Sequence, residues 1–180
     1  MTAAQDDLVC EAVNASNSPY RLDPPTVDDG AAIWRIARDS KALDLNSSYS
    51  YLLWCRDFAR TSVVARDGSG EPVGFVTGYV RPERPKTLVV WQVAVDHSYR
   101  GRGLAATMLD GLTERVTALG IDRVETTITP DNEASNRLFT SYGERHDAPI
   151  EREVLFHGGQ FPDGHGTEVL YRIGPLGAFR

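Results

Sequence analysis

The order of helical and extended patterns along the chain predicts an α/β protein of the α+β kind, built as a single domain, and three observations carry that reading. The first third is helical in period, and the middle holds a glycine-turned hairpin and an apolar strand. From Arg100 onward helices and strands alternate. A composition of 41% hydrophobic and 24% charged residues over 180 positions suits one core, which at this size buries roughly two-thirds of the unfolded chain's surface. No repeat or low-complexity tract points to a second domain. Residues 1–19 are small and polar without a period and are expected to form a mobile N-terminal tail. Residues 20–175 are expected to be the domain, and 176–180 a short C-terminal tail.

Thr26, with Asp29 three residues on, resembles a capping box, and Ile33, Trp34, Ile36 and Ala37 then share a helical face as far as about Ser40. A second helix is predicted from Ser47 or Ser48 through Phe58, after the connection Ala42-Leu43-Asp44-Leu45-Asn46. Ser62 to Ala65, the turn Asp67-Gly68-Ser69-Gly70 and Val73 to Val80 read as a β-hairpin. Thr87 to Val95 (TLVVWQVAV) is apolar enough for a central strand. A helix from Leu104 to about Leu119 closes at Gly120, and a strand follows over Val124 to Thr129. A helix from Asn132 to Tyr142 is expected to end at Gly143, before weaker strands near Val154 and over Val169 to Ile173.

Charge and hydropathy exclude several classes. Lys and Arg total 19 against 25 Asp and Glu, a net charge of −6 that argues against nucleic acid as a partner. The longest apolar runs are far short of the ~20 residues that cross a bilayer, so no membrane partner is expected. Asp6, Asp7 and Glu11 stand where an export signal needs a basic end and an apolar run. Cys10 and Cys55 have neither metal nor redox spacing, and a reducing cytoplasm is the expected compartment. His146, His157 and His165 share no metal-ligand spacing, so no metal is expected.

The strongest local signal is a strand followed by Arg100-Gly101-Arg102-Gly103-Leu104-Ala105 and a helix. Glycines permit close backbone approach, and the first-turn amides of a helix lack internal partners, so such a turn binds phosphate. Gly101, Gly103 and Ala106 also fit the dinucleotide pattern G-x-G-x-x-G/A, with Glu125 downstream. That reading fails on context, because Glu125 opens a strand and too little chain remains for a doubly wound sheet. A P-loop is excluded, since no Gly-Lys-Ser/Thr follows.

The same turn resembles the pyrophosphate loop Q/R-x-x-G-x-G/A of the GCN5-related N-acetyltransferases, through Arg100, Gly103 and Ala105. The preceding Val93-Ala94-Val95-Asp96 is similar to that family's central strand end, and Asn132, Ser135, Leu138, Phe139 and Gly143 to its second motif. The resemblance implies a mixed, mostly antiparallel central sheet flanked by about four helices, an N-acetyltransferase domain over 20–175, and acetyl-CoA as cosubstrate. It implies that Val93, Ala94 and Val95 hold the pantetheine arm and that Arg100, Gly101, Arg102, Gly103, Leu104 and Ala105 hold the pyrophosphate. Asn132 would touch the arm from the far side. One departure is Phe139, which stands where many members carry the tyrosine that protonates the departing thiolate. Tyr142 is a turn away, at a position the pattern buries, and receives no acid role.

Three further blocks, Leu43 to Leu53, Thr87 to Val95 and Glu125 to Ser135, with Glu168 to Arg172, resemble the branch of this superfamily that acetylates L-2,4-diaminobutyrate on the ectoine route. That resemblance implies transfer to the γ-amine (N4), and a homodimer, as is common in the superfamily. The residues agree in kind: an acceptor with two ammonium groups needs acids and an aromatic wall. Asp44, Tyr49, Trp91, His165 and Glu168 are the candidates, the last two in a Gly-rich loop over His157 to Thr167 that reads as a lid. Each has a duller role open to it: Asp44 as a helix cap, Tyr49 as core, Trp91 as an ordinary strand residue. A side-chain ammonium with a pKa near 10 is only about a thousandth deprotonated at pH 7, so a base is required, and Asp44 or Glu168 is expected to serve. An amide of the central strand, Val93 or a neighbour, is expected to hold the oxyanion. Cys55 as an acyl-enzyme nucleophile is the covalent alternative. An acetyltransferase for another small polyamine or amino acid, and a catalytically silent acetyl-CoA sensor, are the rival functions.

Overall fold

The computed structural model describes residues 19–41 and 43–177. The expected tail at 1–19 lies, Pro19 excepted, outside the described residues, as do positions 178–180. Four helices, α1 (Gly30–Ser40), α2 (Ser48–Asp57), α3 (Leu104–Thr117) and α4 (Glu133–Arg145), accompany seven strands. These are β1 (Arg21–Asp23), β2 (Val63–Arg66), β3 (Pro72–Val80), β4 (Thr87–Val95), β5 (Arg123–Ile128), β6 (Ile150–Phe156) and β7 (Glu168–Ile173). They make one sheet in the order β1-β2-β3-β4-β5-β7-β6, antiparallel at every pairing except β4 with β5.

Each face of the sheet carries its own apolar cluster. The larger holds Leu104, Met108, Leu109, Leu112 and Val116 of α3, at the spacing of one helical stripe, against Val76 of β3 and Leu88 and Val90 of β4. The smaller holds Ile33, Ile36 and Ala37 of α1 and Tyr51 and Cys55 of α2, against Phe75 and Ala94. Full burial of one such aliphatic side chain is worth about 1.5–3 kcal/mol, so the α3 stripe is a principal stabilising element.

Strand β4 changes phase halfway. Gln92 pairs with Thr77 and Val90 with Gly78, which leaves Trp91 as the extra residue of a bulge. Before it, Leu88 and Val90 face the α3 cluster; after it, Val93 and Val95 do, and Ala94 joins the α1 cluster. A strict alternation read from the sequence would miss that slip. Between β4 and β5 the ladder is short: Thr87, Leu88 and Val89 pair with Arg123, Val124 and Glu125, and beyond Val89 the strands part.

Three elements differ from the sequence expectation. Thr26 does form a capping box with Asp29, its amide donating to Asp29 Oδ2 at 2.7 Å, but it caps a 3-10 turn over Val27–Asp29 that feeds α1. Helix α4 runs through Gly143 to Arg145, because that glycine gives Ile150 room: a Cβ there would lie 2.5 Å from Ile150 Cδ1. Strand β1 has too few residues to show a period, and it forms by pairing Arg21–Asp23 with β2. Leu176 is buried in the core and its amide donates to the Asp122 carbonyl at 2.7 Å, which ties down the chain after β7.

Candidate active site

Where β4 and β5 part, a cleft of about 1150 Å³ opens. The connection before α2, the outer half of β4, β5, the start of α4 and the segment leading into β7 line it. Ala94, Val95 and the glycine turn that follows β4 are not among the residues that line it; the conformation of that turn follows from the sequence. Gly101 and Gly103 have φ of +74° and +75°, and a Cβ at either would meet only open space, so the requirement there is backbone conformation. The amides of Gly101 through Ala106 have no backbone acceptor among the described residues. Arg100 and Arg102 fold back on the turn, Arg100 Nε donating to the Val95 carbonyl and Arg102 Nη2 to that of Ser98, each at 3.1 Å. Leu104 is buried and anchors the first turn of α3, while Ala105 is half-buried. The result is a preformed row of free donors at a helix N-terminus, a fit for a pyrophosphate.

The cleft itself is walled by side chains. His165 Nε2 lies 2.8 Å from Glu168 Oε1 and 3.7 Å from Asp44 Oδ2, so one imidazole stands between two carboxylates. The second oxygen of Glu168 is buried and has no hydrogen-bond partner among the described residues. Glu168 opens β7 and is not part of the loop before it; from that loop Phe161, Asp163, Gly164 and His165 border the cleft. Ser47 caps α2, its hydroxyl accepting from the Ser50 amide, so Asp44 is released from that duty and its side chain is 89% exposed. Trp91, raised on the bulge and 53% exposed, stacks on Trp54 with centroids 6.2 Å apart and borders the cleft.

The structure thus brings Asp44, Trp91, His165, Glu168, Val93 and Asn132 to one cleft. Tyr49 is not among the residues lining it: it sits in the first turn of α2, 66% exposed. Asn132 caps α4 through its oxygen, which accepts from the Ser135 amide at 3.0 Å, and so turns only its amide nitrogen to other duties. Phe139 is buried and also borders the cleft. Tyr142 is fully buried, and burial pushes its phenol up to about 12. Cys55 sits in the α1 cluster away from the cleft lining, its thiol pushed up to about 11 by burial and by the nearby Asp29 carboxylate. Its place outside the cleft lining and its retained proton both argue against the covalent alternative. Among the described residues no group of three or more His, Cys, Asp or Glu could hold a metal ion, and no helix is long and apolar enough to cross a membrane.

Sequence reasoning missed Gln92. Its Nε2 donates to the Asp44 carbonyl at 2.9 Å and its Oε1 accepts from the Tyr51 hydroxyl at 3.0 Å, pinning the Asp44 connection to the central strand. The signal available was a lone amide in an otherwise apolar strand.

The chain as a whole is similar to known proteins. The acetyltransferase (GNAT) family model matches residues 30–143. An L-2,4-diaminobutyric acid acetyltransferase of Streptomyces avermitilis is 67% identical over 178 residues, covering 98% of this chain and 99% of that protein. Its counterpart from Marinococcus halophilus is 44% identical over 164 residues, with 91% and 94% covered. Among solved structures, the diaminobutyrate acetyltransferase EctA from Paenibacillus lautus, in complex with its substrate L-2,4-diaminobutyric acid and coenzyme A, superposes with a TM-score of 0.82 at 40% identity, covering 89% of this chain and 96% of that one. The chain belongs to the acetyltransferase (GNAT) family, among its diaminobutyrate acetyltransferases.

Proposed function

We propose that this protein transfers the acetyl group of acetyl-CoA to the γ-amine (N4) of L-2,4-diaminobutyrate, giving N4-acetyl-L-2,4-diaminobutyrate for the ectoine route. The observation that carries the reading is the acid pair Asp44 and Glu168, joined through His165 at the point where β4 and β5 separate. Glu168, with one oxygen bound to His165 and the other unpartnered, is the base that takes the proton of the attacking ammonium. Asp44 and the face of Trp91 hold cationic nitrogen in place. The amide of Val93, or of a neighbour on β4, takes the oxyanion. The backbone of Val93 to Val95 and the amides from Gly101 to Ala105 hold the arm and pyrophosphate of the cosubstrate, with Asn132 opposite; the Arg100 amide is already donated to the His97 carbonyl at 3.4 Å. Phe139 offers no proton to the departing sulfur; a thiol with a pKa near 8.5 is a tolerable leaving group without one.

Regiochemistry tests this reading. The α-amine is the weaker base, near 8 against roughly 10 for the side-chain amine, so basicity alone favours the wrong nitrogen. Anchoring must overcome it, and γ-acetylation is expected to be exclusive, with 2,3-diaminopropionate turned over far more slowly. Product NMR showing the α-acetyl isomer as the major species would overturn the assignment. A second copy of the chain as partner and the cytoplasm as location belong to the same reading. The dimer is supported by the exposed Leu45, Tyr49 and Leu52 around α2 and by Val154, Leu155 and Phe156 on the sheet edge, and sedimentation tests it.

A further inference from the structure

The far end of the acceptor cleft carries a second charged group that the chemistry above does not use. Glu125 is buried, yet three guanidinium groups surround it. Arg81 Nη1 donates to its Oε2 at 2.9 Å, and Arg172 Nε and Arg84 Nη1 lie 3.4 and 3.7 Å from its Oε1. Arg172 also donates to Glu153 at 2.5 Å. Three arginines against two carboxylates leave the group one positive charge in excess. Arg81, Glu125 and Arg172 all border the cleft, and the Arg81 side chain is 35% exposed, so the surplus charge faces the space where the acceptor sits. Glu168 and Arg172 are on one face of β7, four residues and so about 13 Å apart along the strand.

The cleft is therefore electrically polar along its length: Asp44 and Glu168 at the end where the strands part, guanidinium at the other. A simple diamine has no use for the cationic end. An α-amino acid with a terminal amine does, because its carboxylate points away from the reacting nitrogen. We infer that Arg81, held in orientation by the buried Glu125 and backed by Arg172, binds the acceptor's carboxylate and selects amino acids over plain diamines. Glu125 is a positioning residue here: it fixes the guanidinium so that its remaining donors meet a carboxylate without reorganisation.

This inference rests on the acceptor proposed above, and the test separates the two. Steady-state kinetics compare L-2,4-diaminobutyrate with 1,3-diaminopropane, the same skeleton without its carboxylate, for the native protein, Arg81→Gln, Arg81→Lys and Glu125→Gln. The native protein should prefer diaminobutyrate strongly. In Arg81→Gln the ratio of kcat/KM values for the two acceptors should fall by about 30-fold, chiefly through KM for diaminobutyrate, with Arg81→Lys recovering part of it. Glu125→Gln should raise KM for diaminobutyrate more than it changes kcat. An unchanged ratio in Arg81→Gln, both acceptors losing equally, would overturn the carboxylate anchor while leaving the acetyltransferase reading intact. A native protein that acetylates neither compound would overturn that reading itself.

Discussion

The glycine turn before α3 and the cleft between β4 and β5 would recognise their proposed ligands by opposite means. At the turn the groups on offer are backbone amides, and the conformations of Gly101 and Gly103 are what free them. In the cleft the groups are the side chains Asp44, His165, Glu168 and Trp91, each held by a different element. Backbone recognition tolerates many sequences, because any residue carries an amide, so it suits a ligand common to a whole family. Side-chain recognition is particular, because each group must be the right type in the right place. The difference teaches why the cosubstrate is legible from a short motif, whereas the acceptor needs long idiosyncratic blocks.

Substitutions at either place break or sharpen that contrast. The largest effect is expected from Glu168→Gln, which keeps the shape but removes the base: kcat should fall by about 10²–10⁴, with little change in KM for acetyl-CoA, in a thiol-release assay. A kcat within threefold of native would move the base elsewhere. Next is Gly103→Val, where a β-branched residue is forced to a φ of +75°. Affinity for CoA by calorimetry should drop by about 10- to 100-fold while affinity for diaminobutyrate is nearly kept. Equal losses for both would mean that the turn supports the whole cleft.

A smaller effect is expected from Asp44→Asn and Gln92→Leu, which act on one connection in two ways, one removing the charge and the other its tether. Both should raise KM for diaminobutyrate about tenfold and leave that for acetyl-CoA alone, and Gln92→Leu should also cost about 1–3 kcal/mol in urea unfolding by orphaning the Tyr51 hydroxyl. The smallest concerns the scaffold. Cys55→Ala should retain native kcat, whereas a covalent mechanism through that thiol would abolish it. An unfolded thiol ionises near pH 8.5 while folded Cys55 keeps its proton to about 11, so the native protein should lose stability as pH rises through that window. Cys55→Ala should flatten the decline, measured as the urea midpoint between pH 8 and 10.5.

Much of the fold was legible because its main elements are long and periodic. The stripe from Leu104 to Val116 gives α3 to within a few residues, and the hairpin turn at Asp67 to Gly70 sets β2 against β3. Gly143 misled, because its role is close packing against Ile150, a tertiary fact with no local signature. The slip at Trp91 was hidden for a related reason: an extra residue in one strand is visible only against its partner. For the site, the glycine turn and the acids at Asp44 and Glu168 could be singled out from the sequence. Tyr49 was singled out with them, but its position in the first turn of α2 leaves it in solvent. Gln92 and the guanidinium group around Glu125 went unread, since their partners lie 40 or more residues away in the chain for Tyr51, Asp44, Arg81 and Arg84.

The short ladder between β4 and β5 bears on how the protein melts. Past Val89 the sheet is nearly two sheets, one built from β1 to β4 and one from β5 to β7, joined by three residue pairs and by the packing of α3 and α4. The strand edges that face each other across the gap are the kind of unpaired backbone that other proteins cover or charge. An extended ligand arm lying between them occupies the place of a missing strand, and its binding energy adds to the cohesion of the two halves. The β4 amides beyond Val89 that do not pair with β3 should then exchange with deuterium faster than those before it, and slow when CoA is added. In a cell, the fraction of this protein that stays folded would follow the supply of its cosubstrate.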